Sequence, residues 1–287
     1  MAETPRFSIT VPAYNAASTL AETVASVQAQ RFDDWEIVIC DDGSADGTLA
    51  LAESLSSADG RIRVVSQENR GSGGAYNTAV SAARARLIVM LSADDLLLPG
   101  HLEAYDRAIR EHPDAAIFSS DAYYEYEDGI REPAHANEGW ADPGSCAMTD
   151  LLRACILGVG AVYRREVFDT VGGFREDMYA EDYPFWLLAF AHGYRHRFVD
   201  EVLAVHRRNR QQKSASAVRV RRAEAEAITL VLGTGLLSPA ERRVARAAAR
   251  SARAKVLVWQ VLLSLLGERR AAILVDRVRG RARSHAG

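Results

Sequence analysis

Leu87-Ile88-Val89-Met90-Leu91-Ser92-Ala93-Asp94-Asp95 is an apolar run that ends in two adjacent carboxylates, with Pro99-Gly100 close behind. In a parallel α/β sheet such a strand delivers its last side chains to the carboxyl edge, where ligands bind. Adjacent carboxylates repel each other unless a proton or cation lies between them. An oxygen-ligated Mg²⁺ or Mn²⁺ relieves that repulsion and in turn holds phosphate oxygens. The stretch therefore points to a metal-bound phosphate compound. A plainer alternative is that the two acids cap a helix, whose first N–H groups need acceptors.

Outward from this strand, the first 120 residues alternate between two periodicities. Strands are expected at 7–11 (closed by Pro12), 35–40, 61–65 and 87–91, and helices at 17–30, 48–55 and 74–85. Strands separated by short helical segments imply a parallel sheet with right-handed crossovers. Beyond residue 115 the alternation degrades. Residues 115–118 form a further strand, 123–126 extend the sheet, and 132–144, rich in Pro, Gly, Asn and Asp, read as a loop. A mixed segment follows over 146–206, and from 214 the chain reads as helical. Ser238-Pro239-Ala240-Glu241 is a helix start, with Ser as N-cap, Pro at N1 and Glu at N3.

Three strand ends meet at one edge of this sheet. Val11-Pro12-Ala13-Tyr14-Asn15 offers a ring that can stack on a base. Asp41-Asp42-Gly43-Ser44 offers a carboxylate to accept an N–H from a base edge. Ser92-Ala93-Asp94-Asp95 offers the metal-diphosphate anchor. A nucleotide fits that set. Further along, Glu181-Asp182 opens an amphipathic segment, 183–191, where the positive helix end favours a carboxylate. His206 follows the apolar run 202–205 and precedes Arg207-Arg208-Asn209-Arg210. The His can complete a metal shell and the Arg residues can neutralise diphosphate charge, although a solvated basic loop is the plainer reading. The polar segment 211–217 reads as a lid.

These elements resemble the family 2 glycosyltransferases with the GT-A fold, over roughly residues 7–216. The elements run in order: Val11-Pro12-Ala13-Tyr14-Asn15, Asp41-Asp42-Gly43-Ser44, Asn69-Arg70-Gly71 with Asn77, Ser92-Ala93-Asp94-Asp95 with Pro99, Gly172-Gly173-Phe174, and Glu181-Asp182 with Trp186. The resemblance implies a GT-A type, Rossmann-like α/β fold: a mostly parallel sheet with flanking helices, plus a helical C-terminal appendage. It implies a catalytic domain over 1–213, with a nucleotide-sugar half to about 120 and an acceptor half beyond, and a basic helical region over 214–287. The implied reaction moves one sugar, with inversion, from a nucleotide diphosphate sugar (a UDP-sugar favoured) to a glycan, lipid-linked or small-molecule acceptor.

By position, the resemblance assigns the donor to Pro12, Tyr14, Asn15, Asp41, Asp42, Asn69, Asn77, Ser92, Ala93 and Asp94, to which the charge of the basic run adds Arg208. It assigns Mn²⁺ or Mg²⁺ to Asp94, with Asp95 in support, and the reading of the basic run adds His206 to that metal shell. Asp182 becomes the general base on the acceptor hydroxyl, supported by Glu181. Two positions depart from the family pattern. Ser92 stands where the metal motif often begins with another Asp. Tyr76 stands where an Arg often precedes the Asn, so that cationic contact is either missing or supplied by Arg70.

Composition narrows the rivals. The net charge of −3 divides into +9 over 238–287 and −12 over the rest, so the two ends suit different partners. Three cysteines without C-x-x-C spacing argue against a disulfide framework or a zinc site and fit a reducing, cytoplasmic setting. The N-terminus leaves no room for a signal peptide. The longest apolar stretch, 256–266, is far short of the roughly 20 residues that span a bilayer. Its apolar residues cover much of a helix circumference, so burial against the body or a partner is expected, with flanking Arg residues free for anionic lipid at the inner membrane face or for an acidic protein.

Residues 42–53 nearly spell an EF-hand loop, but a strand rather than a helix enters it and no second copy exists. No dinucleotide or P-loop fingerprint is complete. A sugar nucleotidyltransferase would need a basic Gly-rich first loop, and a membrane synthase would need an Arg-Trp motif; both are absent. A sugar-nucleotide-binding protein without turnover remains the non-enzymatic alternative. Nucleic acid has no supporting signal.

Overall fold

A computed structural model describes residues 4–129, 131–134, 140, 142–153, 157–208 and 216–283. Its elements run in chain order as β1 (Phe7–Ala13), α1 (Leu20–Gln28), β2 (Trp35–Asp41), α2 (Thr48–Ala58), β3 (Ile62–Ser66), α3 (Gly71–Ala82) and β4 (Leu87–Met90). Then follow β5 (Leu96–Leu97), α4 (His101–Glu111), β6 (Ile117–Tyr126), β7 (Arg131–Pro133), α5 (Met148–Leu151), β8 (Val162–Arg164) and α6 (Arg165–Val171). The chain closes with α7 (Asp182–Ala191), β9 (His196–Arg208), α8 (Ala217–Gly233) and α9 (Pro239–Arg283).

The sheet is mixed, in the order β3-β2-β1-β4-β8-β6-β9-β5, with β7 paired to β6. β1 to β4 are mutually parallel where they pair, as the alternation predicts. The second half departs from that pattern, because β8 is antiparallel to both β4 and β6. The inner parallel strands β1, β2 and β4 are buried on both faces, as in β2, where Ile37 and Ile39 feed one apolar cluster and Val38 and Cys40 the other, while β3 at the edge is only partly covered.

Pro12 does not close β1, which continues to Ala13. β4 pairs β1 only as far as Thr10↔Met90. By strand alternation the N–H that Pro12 lacks would have pointed to that vacated side, so the proline costs no ladder bond. At the opposite edge Glu36 is fully buried yet charged. It accepts from Ser8 Oγ at 2.6 Å, Arg84 N at 2.6 Å and Arg84 Nε at 2.7 Å. Burial alone would raise its pKa, but these bonds outweigh burial and hold it low.

Several expectations give way. Asp94 and Asp95 do not cap a helix, since β5 follows them and α4 starts at His101. β9 runs on through His206 to Arg208, so the basic stretch to that point is strand, paired with β6, while β5 pairs the preceding Ala204 and Val205. α7 is not amphipathic: Tyr183, Pro184, Phe185, Trp186, Leu187 and Ala189 are all buried. The Ser238–Glu241 capping box forms as read, with Ser238 N donating to Glu241 Oε2 at 2.9 Å and Glu241 N to Ser238 Oγ at 3.3 Å. Farther along α9, Leu257, Val258, Val261 and Leu265 are exposed rather than buried. No described helix is long and apolar enough to cross a membrane.

His196, at the start of β9, accepts Cys146 N–H on Nδ1 at 2.9 Å, so Nε2 carries the proton facing Ser119 Oγ at 2.8 Å. Burial lowers its pKa to about 3, and burial lowers that of His101 to about 4. Both are neutral when folded and titrate near 6.5 when unfolded. Stability is therefore complete above about pH 6.5 and falls as pH drops toward 4, at about 2 kcal/mol per histidine by pH 5. Chemical denaturation at pH 7 and pH 5 should show this loss, and His196→Gln should shrink it.

Candidate active site

The carboxyl ends of β1, β2 and β4 open on a cavity of about 990 Å³. Its walls include Pro12, Tyr14, Asn15, Asp42, Asn69, Ser92, Ala93, Asp94, Asp95, Glu181, Asp182, His206 and Arg208. Of the residues expected at the site, only Asp41 and Asn77 lie outside this lining. Asp41 is buried behind it, with Oδ2 near Ser44 N and Ser66 Oγ at 3.4 and 3.5 Å.

The first two loops are laced together. Asn15 adopts a left-handed φ of 49°, the non-glycine type that tolerates it best. This lets its N–H donate to Ser44 Oγ at 3.0 Å, while its Oδ1 accepts Ala45 N–H at 2.9 Å. Ala16 N donates to Thr48 Oγ1 at 2.7 Å. The lacing leaves the Tyr14 ring 54% exposed at the mouth. Asp42 Oδ1 accepts Gln67 Nε2 at 2.7 Å and Arg70 N at 2.8 Å, which leaves Oδ2 for a ligand's N–H. Gly43 holds φ +73°, and a Cβ there would meet Asn69 N at 3.0 Å.

On the third loop Asp94 is half-buried and faces the cavity, whereas Asp95 is fully buried. Asp95 Oδ1 lies 3.1 Å from His206 Nδ1 and accepts Arg207 N–H at 2.9 Å. Burial raises the Asp95 pKa, with His206 opposing the rise. Expected as a ligand, Asp95 instead orients the imidazole and leaves Nε2 as the free ring atom. A carboxylate behind one ring nitrogen is the usual support of a metal-binding histidine.

No group of three or more His, Cys, Asp or Glu side chains placed for a metal occurs among the described residues. Asp94 with His206 is a smaller donor set. It fits a hard cation whose remaining positions are filled by substrate phosphate and water, as Mg²⁺ sites are commonly built.

Glu181 and Asp182 stand at the first turn of α7 and face the same cavity. Tyr76, which is buried, lines the same cavity together with Ser92. Burial and then the charge of Glu181 push its phenol pKa well up, so it stays a neutral donor. Arg70 does not supply a cation here, because it is held by Glu176 at 2.6 and 3.1 Å. Arg207 pairs with Glu22 and Glu125, while Arg208 Cζ sits 4.3 Å over Tyr124 on the cavity wall. Asn209, Arg210 and nearly all of the expected lid lie outside the described residues.

Asn77 is a clamp. It donates to Phe174 O at 2.9 Å and accepts Phe174 N–H at 2.7 Å, fixing the Gly172-Gly173-Phe174 turn against α3. A Cβ on Gly173 would come within 2.7 Å of Asn77 Oδ1. The sequence did not reveal Tyr124, Tyr179, Val220 and Glu224, which also line the cavity. Val220 and Glu224 belong to α8, so this helix walls the site, and its Ala227, Ile228 and Val231 join the core. Their i, i+4 spacing gives no sign of a partner some 130 residues away.

Residues 8–172 match the model of the family described as Glycosyl transferase family 2. Asp182 and His206 lie beyond that match, so their place at the site rests on geometry. The uncharacterized glycosyltransferase EpsJ of Bacillus subtilis is 32% identical over 216 residues, 71% of this chain and 62% of that protein. The chain spans between about one fifth and three fifths of the length of the first curated relatives it matches. Among solved structures, S. aureus TarS 1–349 superposes with a TM-score of 0.72 at 19% identity, covering 92% of this chain and 75% of that one. TarS has also been solved with UDP-GlcNAc. The mannosyltransferase PcManGT of Pyrobaculum calidifontis, solved with GDP-Man and Mn²⁺, gives 0.66 at 21% identity, covering 98% and 81%. At these identities the structural likeness speaks for the fold.

Asn77→Ala should lower stability by about 1–3 kcal/mol, the cost of leaving the Phe174 backbone groups unpaired. Denaturant titration reads that loss, and nucleotide affinity measured calorimetrically should stay within about threefold of the parent. A large loss of affinity with unchanged stability would return Asn77 to the binding surface.

Proposed function

The chain belongs to glycosyl transferase family 2, and from that premise we propose that it transfers a single sugar, with inversion, from a nucleoside diphosphate sugar to a glycan-type acceptor. The observation that carries this reading is the convergence of Tyr14, Asp42, Asp94 and Asp182 on one cavity. The cavity supplies a ring for the base, a carboxylate for its N–H, an anchor for the diphosphate and a base for the acceptor. A UDP-sugar is favoured, since Asp42 Oδ2 suits an imide N–H.

Asp94 and His206 would hold Mn²⁺ or Mg²⁺, with Asp95 fixing the imidazole, and the ion would neutralise the diphosphate as it leaves. The chain's own groups do the rest. Tyr14 and Asp42 fix the base. Arg208 and the N-terminus of α3, where Asn69, Gly71 and Ser72 line the wall, favour the negative charge of the phosphates. Asp182 takes the proton from the acceptor hydroxyl as that oxygen attacks the anomeric carbon from the face opposite the diphosphate. Walls from α8 and α7 limit water at the reacting centre.

Asp94→Ala should abolish transfer and weaken donor binding in Mn²⁺ by about tenfold or more. Asp182→Asn should leave donor affinity nearly unchanged while reducing turnover by roughly 10²–10⁴. Calorimetry with UDP-sugars, paired with an assay of nucleotide release, separates the two effects. Parent-like rates in either variant would remove that residue from its role. Donor binding without metal-stimulated release in the parent would favour a binding protein without turnover.

A further inference from the structure

The two sides of α9 do different work. Ala245, Ala249 and Ala252 lie on one side and are buried against the body. At 100° per residue, Arg243, Arg246, Arg250, Leu257, Val261 and Leu265 share an arc of about 100° on the other side. The three arginines are exposed. Leu257, Val258, Val261 and Leu265 are 63%, 58%, 55% and 74% exposed. A cationic row thus runs directly into an aliphatic one on a face that the body does not cover. A contiguous apolar strip of this kind marks an interaction surface.

We infer that this face docks in the plane of an anionic lipid bilayer. Leu257, Val261 and Leu265 enter the acyl boundary, while Arg243, Arg246 and Arg250 meet headgroup phosphates. Charge decides the occupant. A second copy would bring the same cationic row, from a region that is +9 overall, against this one. An anionic membrane complements the arginines and accepts the aliphatic side chains together. The acidic remainder of the chain, at −12, is repelled by the same surface, which keeps the helix as the contact. The inference is independent of the reaction proposed above.

The test uses the full chain and sedimentation with vesicles of phosphatidylcholine, either alone or with about one third phosphatidylglycerol. Binding should be at least about tenfold stronger to the anionic vesicles and should fall steeply with salt. Leu257→Glu with Val261→Glu, and separately Arg243→Gln with Arg246→Gln and Arg250→Gln, should each weaken it about tenfold with unchanged thermal melts, since all these side chains are exposed. Equal binding to both vesicle types, binding to neither, or full binding by both variants would overturn the inference. So would a dimer seen by light scattering, lost in the glutamate variant, in a chain that ignores vesicles, since that would assign the face to a second copy.

Discussion

The parallel register of β1 with β2 and β4 is the constraint on which the site depends. Ala13 stands opposite Asp41, and Thr10 opposite Met90, so three strand ends reach the same edge within a few residues of one another. A slip of one residue would turn every side chain of a strand to the other face. Glu36 guards against that at the far edge, where one buried carboxylate joins β1 through Ser8 and the turn before β4 through Arg84. Arg84 is itself partly exposed, so solvent screens its side of the pair, and none of Ser8, Glu36 and Arg84 lines the cavity that this anchor holds in register.

The acidic floor of the cavity works because its charges are separated by role. Asp42 spends one oxygen on the scaffold, Asp95 spends its charge on His206 and Arg207, and Asp94 faces the cavity. Tyr76 and Ser92 place two neutral hydroxyls among these acids and Glu181. Another carboxylate at position 92 would add to the repulsion. A neutral hydroxyl stands there instead, and burial keeps the Tyr76 phenol protonated.

The first half of the fold was legible because its strands are short apolar runs between helical periods. Boundaries moved by only a few residues, and the helix start at Ser238 was read to the residue. The second half was not legible as topology, because the antiparallel placement of β8 depends on contacts between Val89 and Val162 that no local pattern encodes. Charge pattern misled at β9, where a run of His and Arg looked like a loop but pairs along β6. Tyr14, Asp42 and Asp94 could be placed at one sheet edge because each follows a strand end, and all three lie on the cavity wall. Val220 and Glu224 were invisible because only tertiary packing brings α8 to the cavity, and Asn77 looked like a contact because a clamp and a ligand use the same amide.

The most direct measurement is a crystal structure of the chain with UDP and Mn²⁺. The account predicts the uracil ring against Tyr14 with its imide N–H on Asp42, and the diphosphate beside Asp94 and His206. Density for the nucleotide elsewhere on the surface, with Tyr14, Asp42 and Asp94 untouched, would contradict it.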